Sequence, residues 1–252
     1  MERTTIIELK KVTLKKPVLV EGLPGIGLVG KLAADHLIKS TKAERIADVV
    51  SPHFPHQVIM QKNGVMRLLK NRIYLIHGKK NDILVLVGDV QAITSEAQYE
   101  VCGALLDWFA KKGGKMMYTL GGYGTGKNPQ QRRVFGSASH KTMVPELKKQ
   151  GIIFGESRGS IIGVAGLLLG LGKIRGLQGV CLMGETHGAY VDAKSAQAVL
   201  EVLSKVLEMK IDITKIEERA KKGEQFMKQM EREAQKATEG SLPSNHELSY
   251  IR

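Results

Sequence analysis

Aromatic side chains are scarce in this sequence: one Trp, six Tyr and five Phe make up 5% of 252 residues. Nucleic-acid surfaces stack bases on aromatic rings or carry a known motif, so the net charge of +13 does not by itself point to a nucleic-acid partner. Cysteine is nearly absent too. Cys102 and Cys181 lie far apart among apolar residues, which suits reduced core thiols in a cytoplasmic protein, not a disulfide framework. Long apolar runs are missing. The most apolar stretch, SIIGVAGLLLGLG at 160–172, has 13 residues, whereas a helix crossing a bilayer needs about 20. The first residues, MERTTIIELKK, lack the apolar segment and cleavage site of a secretory leader. His53 and His56 flank Pro55 with no Cys or carboxylate close by, so no metal site is expected. There is no G-x-S-x-G elbow and no cysteine-nucleophile signature.

The positive charge has a location. From residue 212 onward eight Lys/Arg meet eight Asp/Glu, so the whole excess lies in residues 1–211. It is scattered there in pairs such as Lys15-Lys16, Lys79-Lys80, Lys111-Lys112, Arg132-Arg133 and Lys148-Lys149. A basic face of this kind suits an acidic protein partner.

Strand and helix patterns alternate along the chain. PVLVE (17–21) reads as a buried strand, 25–39 as a helix and AERIADVV as a second strand. Asn63-Gly64 signals a two-residue hairpin within 57–77. ILVLVGD (83–89) is a continuous apolar strand of the parallel, doubly covered type. A helix opening at Ser95 as N-cap and stopping at Gly113 follows, then strand KMMYTLGG and a Gly-rich loop. Helix VPELKKQ, a helix at 160–172, strand QGVCLMGE and helix DAKSAQAVLEVLSKVLEM complete the pattern. Alternation implies an α/β domain over 1–210, a mostly parallel or mixed sheet between helices with an antiparallel hairpin insertion. Residues 211–239 differ. Ile213, Ile216, Ala220, Gly223, Met227, Met230, Ala234 and Ala237 recur at spacings of three and four, a heptad stripe on a charge-balanced helix. Its small residues call for a partner surface, on the same domain or a neighbouring subunit. Ile213, Ile216, Met227 and Met230 are the expected oligomer contacts. Residues 240–252 form a Pro/Ser/Asn tail without periodicity.

Within VLVEGLPGIGLVGKLAADHL (18–37), Gly25, Gly27 and Gly30 spell G-x-G-x-x-G after a strand, and with Lys31 most of a P-loop. A dinucleotide site also needs an acidic residue about 20 positions on, where Asp48 stands. A P-loop needs Ser or Thr after its lysine to hold magnesium. Leu32 follows Lys31, and Asn128 follows Lys127 in GGYGTGKN. No nucleotide or other cofactor is therefore expected, and the glycines read as a sharp turn with close helix–sheet packing. The loop GGYGTGKNPQQRR could form an anion nest and lies where α/β folds bind ligands. Asp89 and Gln91 in GDVQ, with Glu185, Thr186 and His187 in GETHG, follow strands and would offer acid–base groups if they met at one edge. That leaves, as an alternative, an enzyme acting on a phosphorylated or nucleoside-like small molecule.

The strand followed by EGLPGIG, GDVQ, TLGGYGTG, GSIIGVAGLLLG and GETHGAYVDAKSAQAVLEVL, in this order over residues 15–210, resembles the PAC2 family of proteasome assembly chaperones in its archaeal branch. The resemblance implies a three-layer α/β sandwich like nucleoside phosphorylases without their catalytic equipment, a homo-oligomer closed into a ring, and binding to proteasome α-subunits. An ATP-independent binding protein is expected, with a second chaperone subunit left open; the short apolar runs and scarce aromatics speak against a membrane or nucleic-acid partner. Proteasome activators commonly dock a C-terminal hydrophobic–Tyr–X tail. In NHELSYIR, Tyr250 is third from the end, followed by Ile251 and Arg252, one residue out of that register. These three residues are the expected partner contact.

Overall fold

Alternating side chains of one continuous apolar strand serve two separate cores in this protein. In the computed structural model, which describes residues 2–155, 159–216 and 218, strand β2 (Val18–Gly22) sends Leu19 to one core and Val20 to the other. Strand β7 (Ile83–Gly88) divides likewise, Leu84 and Leu86 against Ile83, Val85 and Val87. Such strands require cover on both faces. One face carries α2 (Ser95–Lys111) and α4 (Val164–Ile174). The other carries α1 (Val29–Ser40), the short α3 (Val144–Lys149) and α5 (Ala193–Val206). Helix α5 buries Ala196, Val199, Leu200 and Leu203, the three-and-four spacing of a one-sided helix.

The remaining strands are β1 (Thr5–Glu8), β3 (Glu44–Val50), β4 (Val58–Met60), β5 (Met66–Leu68), β6 (Asn71–Ile76), β8 (Met116–Gly124), β9 (Val134–Ala138) and β10 (Gln178–Thr186). Eight strands form one sheet in the order β1-β3-β6-β7-β2-β8-β10-β9, and β4 and β5 pair separately. The neighbours from β7 through β2 and β8 to β10 run parallel. Pairings outside this core are antiparallel. The expected α/β sheet is thus mixed, and its parallel strand pairings are those that join β7, β2, β8 and β10.

Local details correct the pattern in four places. The N-cap of α2 is Thr94, whose hydroxyl accepts from Ala97 N at 3.2 Å, one residue before the expected Ser95. Helix α4 begins at Val164, not at residue 160, because Gly163 holds φ at +88°. The β4–β5 loop has three residues instead of two. Gln61 N donates to Val65 O, Gly64 N donates back to Gln61 O, and Gly64 takes the left-handed position at φ +81°, a turn followed by a bulge. Strands β1 and β9, absent from the pattern, flank the sheet. Among the described residues no helix is long and apolar enough to cross a membrane.

After α5 the chain turns back beneath α1. His36 Nε2 lies 2.5 Å from the Asp212 carbonyl oxygen. Ile216 is 1% exposed in the α1/α5 core, with Ile213 packed beside it. Both are therefore turned onto their own domain, the first of the two surfaces that the heptad stripe allows. Met227, Met230, Tyr250, Ile251 and Arg252 lie outside the described residues.

Candidate functional surface

The carboxyl ends of β2, β7, β8 and β10 bring the sequence motifs to one edge. The Gly25–Gly30 turn is built for close approach. Gly27 sits at φ +62°, and a Cβ there would lie 3.0 Å from Thr186 Oγ1. At Gly30 a Cβ would lie 2.1 Å from the Leu120 carbonyl oxygen. The loop after β10 closes over the turn, where Asp192 N donates to Gly27 O at 2.9 Å. Asp48 does not approach it, because β6 and β7 stand between β3 and β2. It is instead clamped by Arg45 and Lys70. Burial pushes the Asp48 carboxyl up, but these two cations outweigh it and hold the group below its ordinary value. Lys31 pairs with Asp35 one helical turn on. Gly27 and Gly30 are accounted for by turn geometry and packing, whereas a Cβ at Gly25 would meet nothing within 4 Å.

The loop after β10 is fixed by a buried knot. Asp192 caps α5 through Ser195 N at 2.9 Å, accepts from Thr186 Oγ1 at 2.9 Å and pairs with Arg132 Nε at 3.2 Å. Arg132 also donates to Pro129 O and Asn128 Oδ1, which ties down the Gly-rich loop. Gln91 braces the opposite side, donating to Pro24 O at 2.7 Å and accepting from Val164 N at 2.9 Å. His187 stacks on Tyr190 at 5.3 Å.

Asp89 and Glu185 do not form a carboxylate pair. Two strands separate β7 from β10, which at about 4.8 Å per step puts roughly 14 Å between them. Each has its own arginine: Asp89 binds Arg67 at 2.5 Å, and Glu185 binds Arg133 at 2.9 and 3.1 Å. The Arg133 guanidinium holds Glu185 below the usual carboxylate range. A cleft of about 640 Å³ beside this pair is lined by Lys127, Gln131, Glu201 and Lys205 among others. His53 sits 3.8 Å from Glu100, and the described residues contain no cluster suited to a metal ion. Burial pushes the Cys102 and Cys181 thiols up to about 12, so neither is an activated nucleophile.

What the edge does present is apolar side chains. Ile26, Ile93, Tyr99, Ile162 and Val191 are 53–88% exposed, each on a segment held by the contacts above or capping a helix. Exposed apolar side chains on fixed backbone suit protein contacts. Their sequence signal is slight: Ile26, Ile93 and Val191 are apolar residues in turns and loops, Tyr99 lies in α2, and Ile162 lies in an apolar run that reads as core.

Comparison with known proteins extends the picture from the sheet edge to the whole chain. The model of the PAC2 family matches residues 19–231. An uncharacterized protein of Methanocaldococcus jannaschii is 38% identical, over 94% of this chain and 93% of its own. Among solved structures, Pyrococcus furiosus PbaB, described as an archaeal proteasome activator, superposes with a TM-score of 0.87 at 39% identity, covering 92% of this chain and 100% of PbaB. Pyrococcus furiosus PbaA, described as an archaeal homolog of proteasome-assembly chaperone, gives 0.78 at 26% identity, over 95% and 96% of the two chains.

Proposed function

The chain belongs to the PAC2 family, and from that premise we propose that it is an ATP-independent chaperone or proteasome-binding protein acting on the α-subunits of the 20S particle. The observation that carries this is the likeness to PbaB over nearly the whole chain. The carboxylates Asp89 and Glu185, the Gly-rich turn and the thiols of the enzyme-like scaffold are all engaged in packing or ion pairs, which supports a binding protein of nucleoside-phosphorylase-like shape over an enzyme. Binding is carried by the α/β body and assisted by Tyr250, Ile251 and Arg252. The protein works as a closed homo-oligomer, with the heptad stripe anchored on its own domain at Ile213 and Ile216 and reaching a neighbour at Met227 and Met230.

The deciding experiment is binding of the full chain to purified archaeal 20S proteasome, with peptidase activity followed in parallel. Association with the α-face is expected. No association at micromolar concentrations would sink the proposal. Deleting residues 248–252 should weaken binding without abolishing it, and light scattering should give a mass above that of the monomer.

A further inference from the structure

The β4–β5 hairpin is inside out. Its strands pair Val58 with Leu68, Ile59 with Arg67 and Met60 with Met66. Side chains of successive residues alternate between the faces, so Ile59 and Arg67 share one face and the other four share the opposite one. The face carrying the cation turns inward: Ile59 packs on the core, and Arg67 donates to both Asp89 oxygens, at 2.5 and 3.1 Å. The outward face is wholly apolar, with Val58, Met60, Met66 and Leu68 between 49% and 87% exposed. A lone two-stranded hairpin is marginal in water. This one is bolted down by the Arg67–Asp89 pair, by Lys70 N donating to Asp89 at 3.1 Å, and by the buried Phe54 and Leu69 at its roots. The chain thus fixes in place an apolar block that it does not cover, and two methionines let that block adapt to another surface.

Charge around the block selects the partner. No Asp or Glu occurs between Asp48 and Asp82. Asp48 and Asp89 are taken by Arg45, Lys70, Arg67 and Arg72. Lys62 stands exposed at the tip, and no carboxylate within the hairpin opposes it. The same face of a second copy would bring like charge and no carboxylate. We propose that the outward face of β4–β5 docks on a different protein, at an apolar strip bordered by carboxylates. Resting on the proteasome reading above, that protein is a subunit of the 20S particle.

The test is titration of full-length protein against purified 20S proteasome by interferometry, with light scattering and melting curves on each variant. The combined Met60→Ser, Met66→Ser, Leu68→Ser protein should bind about tenfold more weakly, with unchanged oligomeric mass. The separate variant Lys62→Glu, at a site with no packing role, should bind about threefold more weakly and respond less to salt. Equal binding by wild type and both variants overturns the hairpin assignment while leaving the proteasome reading intact. A change in oligomeric mass with proteasome binding retained would make this face a contact between copies and overturn it too. Failure of the wild type to bind refutes the underlying reading.

Discussion

Glu21 is a buried carboxyl whose ionisation the fold resists. It lies on β2, 1% exposed, with Leu23 N donating to Oε1 at 2.8 Å. Among the described residues Oε2 has no partner. Burial raises its pKa from 4.5 to about 7, against a smaller opposing effect of the Leu23 hydrogen bond. The folded protein therefore holds this proton more tightly than the unfolded chain. Stability from this group is fully present below about pH 4.5 and is lost as pH rises to about 7, beyond which it levels off. At roughly 1.4 kcal/mol per pH unit the loss comes to about 3 kcal/mol. Glu21→Gln keeps the shape and the acceptor for Leu23 N but does not titrate. Burying the amide has its own cost, so the informative quantity is how the difference between the two proteins changes with pH. Urea unfolding at pH 5 and pH 8, at one protein concentration, should show the Gln protein gaining about 2.5 kcal/mol on the wild type between the two. Parallel profiles, with a gain under about 1 kcal/mol, would refute the reasoning.

Five further substitutions test the packing, the ion pair and the helix cap at the edge. Gly30→Ala should cost more than about 3 kcal/mol, because its Cβ would meet backbone on β8. Gly25→Ala, with nothing within 4 Å, should stay within about 0.5 kcal/mol by thermal melting. Asp192→Ala strands Arg132, 3% exposed at its side chain, and should cost about 3 kcal/mol in denaturant unfolding. Thr94→Ala should cost about 1 kcal/mol and Ser95→Ala almost nothing, which calorimetry would distinguish.

Much of this was legible in the sequence where one physical signal dominates. The central strands announce themselves as continuous apolar runs, because both faces are covered. Strand β1 is mostly exposed at the sheet edge, and β9, VFGSA, mixes Gly and Ser into its run. Neither has the alternation that marks a strand. Thr94 and Ser95 are adjacent hydroxyls, and spacing cannot say which one caps. The knot at the edge was less accessible. Arg132 and Asp192 meet only because β9 and β10 are neighbours, and the apolar face of the hairpin depends on which side Arg67 takes. Pairing across the chain decides both.

The sheet order also bears on how the chain comes off the ribosome. Strand β2 is among the first segments made, yet Val18 lies beside both Ile83 and Met116. Neither hydrogen-bonding edge of β2 can be satisfied until much later sequence has emerged. Distant pairings of this sort slow folding and leave edges exposed to other chains. Close contacts of Gly22 with Gly30 and Ala34 let α1 fold back over one face of β2 from immediately following residues. A nascent chain can thus shelter that face before either neighbouring strand exists, so the tight glycine packing serves the chain's synthesis as well as its finished form.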